Sequence, residues 1–265
     1  MRRGHSALWH FVVVGILRPL LFLLFKRDWR GREHIPREGG VIIAPNHMSW
    51  ADPLVMSHFV YESRRWPVFL AKAAIFKIPV IGYIVRSVGQ IPVYRDRAEA
   101  ALALRDAEKG LKDGASVIVY PEGTCTRDPD LWPMTAKTGV ARLALTTGAP
   151  VIPVAHWGCQ HVLPYPTKRF RPFPRKTIKV LAGPPVDLSA YDGKPLTAEV
   201  LRNATADVMA AITELLGEVR GETPPKEPYD MNKARAEKFA KRPGNGSAEP
   251  AATKDGAEEW GGAGA

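Results

Sequence analysis

A histidine and an aspartate share one short run, Asn46-His47-Met48-Ser49-Trp50-Ala51-Asp52-Pro53. The run follows GGVIIAP, an apolar stretch that reads as a strand, so both residues fall at a strand exit. His47 and Asp52 are five positions apart, about 140° around a regular helix, so a turn must bring them together. In a turn, the Asp52 carboxylate accepts one imidazole N–H of His47. The other ring nitrogen is then held as a base for an incoming hydroxyl. The spacing also fits a purely structural role. Asp52 precedes Pro53 and suits a helix N-cap, which leaves His47 as an ordinary solvated loop residue.

A second polar loop follows SVIVY: Pro121-Glu122-Gly123-Thr124-Cys125-Thr126-Arg127-Asp128. Gly123 permits close backbone approach. Thr124 and Arg127 carry donors for hydroxyl or phosphate oxygens, or else complete a solvated polar turn. Lys72 after PVFLA, and Arg95 after the run Gln90–Val93, fit either a phosphate contact or plain surface charge. His156 and Trp157 follow VIPVA, where an aromatic exit lines a groove or belongs to the core. There is no G-x-S-x-G elbow, P-loop or G-x-G-x-x-G. A metal site from His47, Asp52 and a distant His156 or His161 would lack tight ligand spacing, so no metal is expected.

The elements that must position these loops alternate along the chain. Strand patterns cover Val41–Ala44, Val68–Leu70, Gln90–Val93, Ser116–Tyr120, Val151–Ala155 and Thr177–Leu181. Helical patterns cover Pro53–Tyr61, Ala73–Ser87, Arg97–Lys112, Lys137–Thr147 and Thr197–Leu216. Such alternation predicts an α/β fold, a single domain with a largely parallel sheet covered by helices. Sheets of this kind carry ligands at the carboxyl ends of their strands, where the polar loops lie.

The 265 residues carry a formal charge of +10 and only two cysteines, which excludes a disulfide scaffold. The charge is uneven: residues 1–37 hold eight basic and two acidic side chains, and residues 164–179 hold six basic and none acidic. An anionic partner is implied. Residues 9–25, WHFVVVGILRPLLFLLF, form an apolar run broken by Arg18-Pro19. As a helix it reaches about 25 Å, short of the roughly 30 Å hydrocarbon core. The reading is an N-terminal apolar membrane-associated helix, kinked and lying in one leaflet; a buried core helix and a true span remain the alternatives. The segment Tyr165–Lys176 interleaves aromatics with cations, which suits anionic headgroups, single-stranded nucleic acid or solvent. From Glu222 the chain is rich in Gly, Pro, Ala and Glu, and is expected to be a disordered C-terminal tail, with a short helix near Met231–Lys241 as its one candidate element. The predicted organisation is therefore 1–34 membrane-associated segment, 35–221 domain, and 222–265 tail.

Taken in order, NHMSWAD, GQIPVYR, YPEGTCT and VIPV resemble the four signature blocks of the 1-acyl-glycerol-3-phosphate (lysophosphatidate) acyltransferase family. The resemblance implies transfer of a fatty acyl group from acyl-CoA or acyl carrier protein to the hydroxyl of a lysophospholipid, giving phosphatidate. It further implies work at the cytoplasmic face of the cell membrane as a peripheral or monotopic protein. No cofactor, metal, covalent intermediate or nucleic acid is expected. His47 would be the general base and Asp52 its orienting partner. Asn46, Ser49, Lys72, Arg95, Glu122, Gly123, Thr124 and Arg127 match or adjoin positions associated with substrate, and Asn46 and Gly123 are also candidate oxyanion donors. Family members often carry arginine where this chain has Cys125, with Arg127 as the available substitute. That departure keeps open another acceptor, such as a different lysophospholipid, glycerol-3-phosphate or a glycolipid. A non-catalytic basic membrane- or nucleic-acid-binding protein is the distant alternative.

Overall fold

A computed structural model describes residues 7–93, 97–167, 169–231, 233, 234 and 236. The strands are β1 (Phe25–Arg30), β2 (Val41–Pro45), β3 (Pro67–Lys72), β4 (Ile91–Val93), β5 (Ser116–Ile118), β6 (Val151–Trp157) and β7 (Lys176–Ala182). The helices are α1 (Ala7–Leu24), α2 (Asp52–Glu62), α3 (Ile81–Ser87), α4 (Arg97–Lys112), α5 (Gly139–Thr147) and α6 (Ala198–Arg220). The strands form one sheet in the order β1-β7-β6-β2-β5-β3-β4. Every pairing is parallel except β6 with β7. The sheet is largely parallel, as the alternating pattern predicts.

β2 lies in the middle of the sheet, and all five of its residues are buried. Its side chains alternate between two cores. Ile43 packs with Val55, Met56 and Phe59 of α2 and with Leu21 of α1. Ile42 and Ala44 face Ala107 and Leu111 of α4, Leu143 of α5 and Ile212 of α6. Helices on both faces explain why the strand reads as a continuous apolar run with no polar face. α6 is fixed at both ends: Thr197 Oγ1 accepts the Val200 N–H at 3.2 Å, and Gly221 ends the helix at φ 71°.

Three elements differ from their sequence patterns. The helix predicted over Ala73–Ser87 is broken: residues 73–77 form a 3₁₀ turn, Ile78 is extended at ψ 125°, and α3 begins at Ile81. Pro79 causes the break, since it disfavours helical geometry at Ile78 and lacks an N–H. Phe25, read as the end of the apolar helix, starts β1, which pairs with β7 from Phe25↔Lys176 to Arg30↔Leu181. Part of segment 1–34 thus belongs to the sheet. α1 continues through Pro19 as one helix, and Arg18 pairs with Glu62 of α2 at 2.7 Å. No described helix is long and apolar enough to cross a membrane. The chain divides into two compact units, residues 1–229 and 230–265. In the second unit the described backbone is helical at residues 231, 233, 234 and 236, where a short helix was expected. The expected tail beyond residue 236 lies outside the described residues.

Candidate active site

Because β2, β3, β5 and β6 run the same way, their C-terminal ends share one end of the sheet. The loop after β2 carries His47, the loop after β5 carries Glu122, and β6 brings His156 alongside. The turn expected between His47 and Asp52 is present. Asp52 Oδ2 lies 2.8 Å from His47 Nδ1 and accepts the N–H groups of Met48 at 2.7 Å and Ser49 at 2.8 Å. Asp52 is fully buried, and its carboxylate reaches back into the loop rather than forward over the first turn of α2. It does not act as an N-cap. Burial works to raise the Asp52 carboxyl, but His156, His47 and the Met48 amide outweigh it and hold the group below its usual value.

The His47 side chain is 14% exposed, the only opening of the pair to solvent. Its ring stacks on Tyr120, with centroids 4.2 Å apart at 27°. Cys125 Sγ lies 3.5 Å from Nε2 and 3.7 Å from Nδ1. Burial pushes the Cys125 thiol up, so it meets the imidazole as a neutral group. It therefore offers no substitute for the phosphate-binding arginine of the family pattern.

Several residues expected at the substrate are buried and hydrogen-bonded to the loops. Asn46 is buried; its Nδ2 donates to His156 O at 3.2 Å, and its Oδ1 accepts the His156 N–H at 2.9 Å. His156 Nε2 lies 2.8 Å from Asn46 O, which locks the loop to β6 from both sides. Burial lowers the His156 pKa against the opposing pull of Asp52. Ser49 is fully buried, with Oγ donating to Cys159 O at 3.1 Å and Leu163 O at 2.7 Å. Glu122 is also buried: Oε1 accepts the His47 N–H at 3.1 Å, and Oε2 accepts the Met134 N–H at 3.0 Å. Burial pushes its carboxyl up to about 8, although the Met134 and His47 amides act against it. All three side chains are buried and bonded to the backbone of the surrounding loops. As for oxyanion donors, the Gly123 N–H donates to Tyr120 O at 3.0 Å and the Asn46 N–H to Val154 O at 3.3 Å, so both have protein partners.

The remaining candidates are exposed at the same end. Lys72 ends β3 with its side chain in solvent. Gly123 is exposed at φ 69°, and Thr124 is half-buried beside it. The Arg127 guanidinium lies 4.5 Å over the Tyr165 ring, which in turn sits 5.2 Å from Trp50. Arg95 lies outside the described residues. The sequence reading missed Tyr120 and Lys137. Lys137 donates its N–H to Pro121 O at 2.9 Å, and its stem lies over Gly123, where an added Cβ would meet it at 3.3 Å. No motif marks Lys137; its place depends on tertiary folding alone. Asp52, His156 and Cys159 bring potential metal-ligand atoms within 4.8 Å of one another behind the pair. All three are buried, and burial raises the Cys159 thiol well above its usual value, which opposes the thiolate a metal needs.

A histidine held by a buried aspartate, with one edge open to solvent, can take a proton from a hydroxyl and return it to a leaving group. A family model described as Acyltransferase matches residues 26–157, half of the chain in round terms. The chloroplastic 1-acyl-sn-glycerol-3-phosphate acyltransferase of Brassica napus is 30% identical over 157 residues, covering 58% of this chain and 44% of that protein. The 1-acyl-sn-glycerol-3-phosphate acyltransferase of Borreliella burgdorferi is 35% identical over 125 residues, covering 47% and 48%. The chain thus spans a little under half the length of these curated relatives. The crystal structure of the 1-acyl-sn-glycerophosphate acyltransferase PlsC from Thermotoga maritima superposes with a TM-score of 0.64 at 26% identity, covering 85% of this chain and 86% of that one. With its ordered blocks, its sheet and its histidine loop all in agreement, the chain belongs to the acyltransferase family.

Proposed function

We propose that this protein transfers a fatty acyl group from a thioester donor, acyl-CoA or acyl carrier protein, to the free hydroxyl of 1-acylglycerol-3-phosphate, giving phosphatidate. The observation that carries the reading is the 2.8 Å bond between His47 Nδ1 and a buried Asp52 whose accepting oxygen also holds two loop amides. Asp52 keeps the proton on Nδ1, so Nε2 is the basic atom. Nε2 takes the acceptor's hydroxyl proton as its oxygen attacks the thioester carbonyl. The tetrahedral oxyanion collapses, the C–S bond breaks, and the thiolate leaves with the proton that His47 carries. Lys72, Arg127 and Lys137 are the exposed cations at this end that suit the acceptor phosphate, with Arg95 as the family's own candidate. Membrane association is part of the same proposal. It is supported by Ile16, Leu20 and Leu23 of α1, which stand 66%, 45% and 60% exposed at helical spacing.

The test is release of free thiol from acyl-CoA by purified protein in detergent or liposomes, across a panel of acceptors. His47→Ala should lower transfer to lysophosphatidate by about a thousandfold or more, as removal of a catalytic base does elsewhere. Near-normal turnover in that variant would sink the base assignment. Turnover indifferent to the acceptor phosphate would favour a glycolipid or other acceptor, a reading that Cys125 at the arginine position supports.

A further inference from the structure

A groove of about 430 Å³ opens between the end of α1, strand β1 and the end of α2, away from the His47 loop. Asp52 opens α2 and Glu62 closes it, which separates the two places by about 15 Å along the helix. Four cations line the groove: Lys26, Arg27, Arg32 and Arg175. The only carboxylate among its lining residues is Glu62, already paired with Arg18 at 2.7 Å and facing His58 at 3.6 Å.

Three of the four cations are held in place by the fold. Arg175 Nη2 donates to the α1-end carbonyls of Phe22 at 2.6 Å and Phe25 at 2.9 Å. Arg32 Nη1 donates to Glu62 O at 3.4 Å. The Arg27 guanidinium lies 3.7 Å over the Phe22 ring and 5.2 Å from the Trp29 ring. Each guanidinium has five N–H donors, so these bonds leave most of each fork unused. Trp29 adds a buried indole N–H that has no hydrogen-bond partner among the described residues.

α1 packs Leu17, Leu21 and Leu24 against the core, while Ile16, Leu20 and Leu23 repeat the same spacing on another face of the helix, which is exposed. A helix with an exposed apolar face, ending in a charged recess, suits a lipid surface with anionic headgroups.

We propose that this groove binds the phosphate-monoester headgroup of an anionic phospholipid in the surface on which the exposed face of α1 rests, a placement that relies on the membrane association proposed above. A monoester carries up to two negative charges and three terminal oxygens, enough for several guanidinium forks at once. A phosphodiester headgroup offers one charge. The site therefore reads headgroup type as well as surface charge, and it does so without the transfer chemistry.

The test compares binding to phosphatidylcholine vesicles containing either phosphatidate or phosphatidylglycerol, adjusted to equal surface potential. The unaltered chain should prefer phosphatidate vesicles by about fivefold or more, the worth of one well-placed basic group. Lys26→Gln with Arg27→Gln should abolish that preference; both side chains are exposed, and a thermal melt checks that the variant folds. Arg169→Gln with Arg171→Gln removes the same charge from the surface loop and should weaken both vesicle types while keeping the preference. His47→Ala should also keep it. The proposal is overturned if the unaltered chain shows no preference, if the groove pair keeps it, or if both pairs of substitutions act alike. Loss of the preference in His47→Ala would also overturn it, by moving headgroup recognition to the transfer loop. Failure of the acyltransferase reading would appear in the thiol-release assay and leave these results unchanged.

Discussion

Replacing Glu122 by glutamine separates two roles for the same carboxyl. At neutral pH the side chain is mainly a neutral acid, because burial pushes it up to about 8. The unfolded chain ionises the group near 4.5. Between those values the folded state holds a proton that the unfolded state has released, so stability falls as pH rises, by at most about 1.4 kcal/mol per pH unit. Glutamine removes that dependence. It also supplies one carbonyl oxygen where the carboxyl supplies two acceptors, so the N–H of either His47 or Met134 loses its partner, at about 1–3 kcal/mol. Glu122→Gln should therefore be the less stable protein near pH 5 and should match or exceed the unaltered one near pH 8. Denaturant titrations in a non-ionic detergent across that range measure the crossing. Parallel stability curves would refute the buried-acid account. Kinetics give a second check. A loop clamp changes kcat and leaves KM for the acceptor nearly unchanged, whereas a rise in KM at constant kcat would mean that the carboxyl touches substrate.

Other substitutions probe the supports of the same loops. Asp52→Asn should flatten the loss of stability on acidification, since a carboxyl held low stabilises the fold only while ionised, and it should also lower transfer; denaturation at pH 3 and pH 7 measures the first effect. Asn46→Ala should cost about 1–3 kcal/mol for each His156 backbone group left unpaired and lower kcat without raising acceptor KM, measured by melting and turnover. Gly31→Ala should prevent β1 from docking: Gly31 has φ 77°, and a Cβ there would sit 1.9 Å from Ala182 O. Thermal melting should show a large loss, and a normal midpoint would contradict the β1–β7 register.

The sequence patterns located β2 to β7 and helices α2, α4, α5 and α6 to within a few residues, because strands buried on both faces leave apolar runs between turn signals. They missed β1. FKRDWR carries four charges in six residues, and only Phe25 is buried while Trp29 is half-buried. An edge strand with one covered face leaves little apolar signal. The turn linking His47 to Asp52 was legible from Pro53 and the five-residue spacing. The direction of Asn46, Ser49 and Glu122 was not, because their partners are backbone groups of His156, Cys159, Leu163 and Met134, distant in sequence. Lys137 beside Gly123 and Tyr120 under His47 have the same origin.

The pairing of β1 with β7 also sets an order of events during synthesis. Phe25 meets Lys176, about 150 residues later in the chain. At translation rates of about 5–20 residues per second, the strand that follows α1 has no partner for roughly ten to thirty seconds. During that interval Leu17, Leu21 and Leu24 have Ile43 and the α2 residues Val55, Met56 and Phe59 to pack against, but still lack Ile178 and Val180 of the same core. Under the proposed membrane association, a lipid surface within reach of the emerging chain would engage the helix before β7 does, and the edge of the sheet would be completed last, at the place where α1 is held.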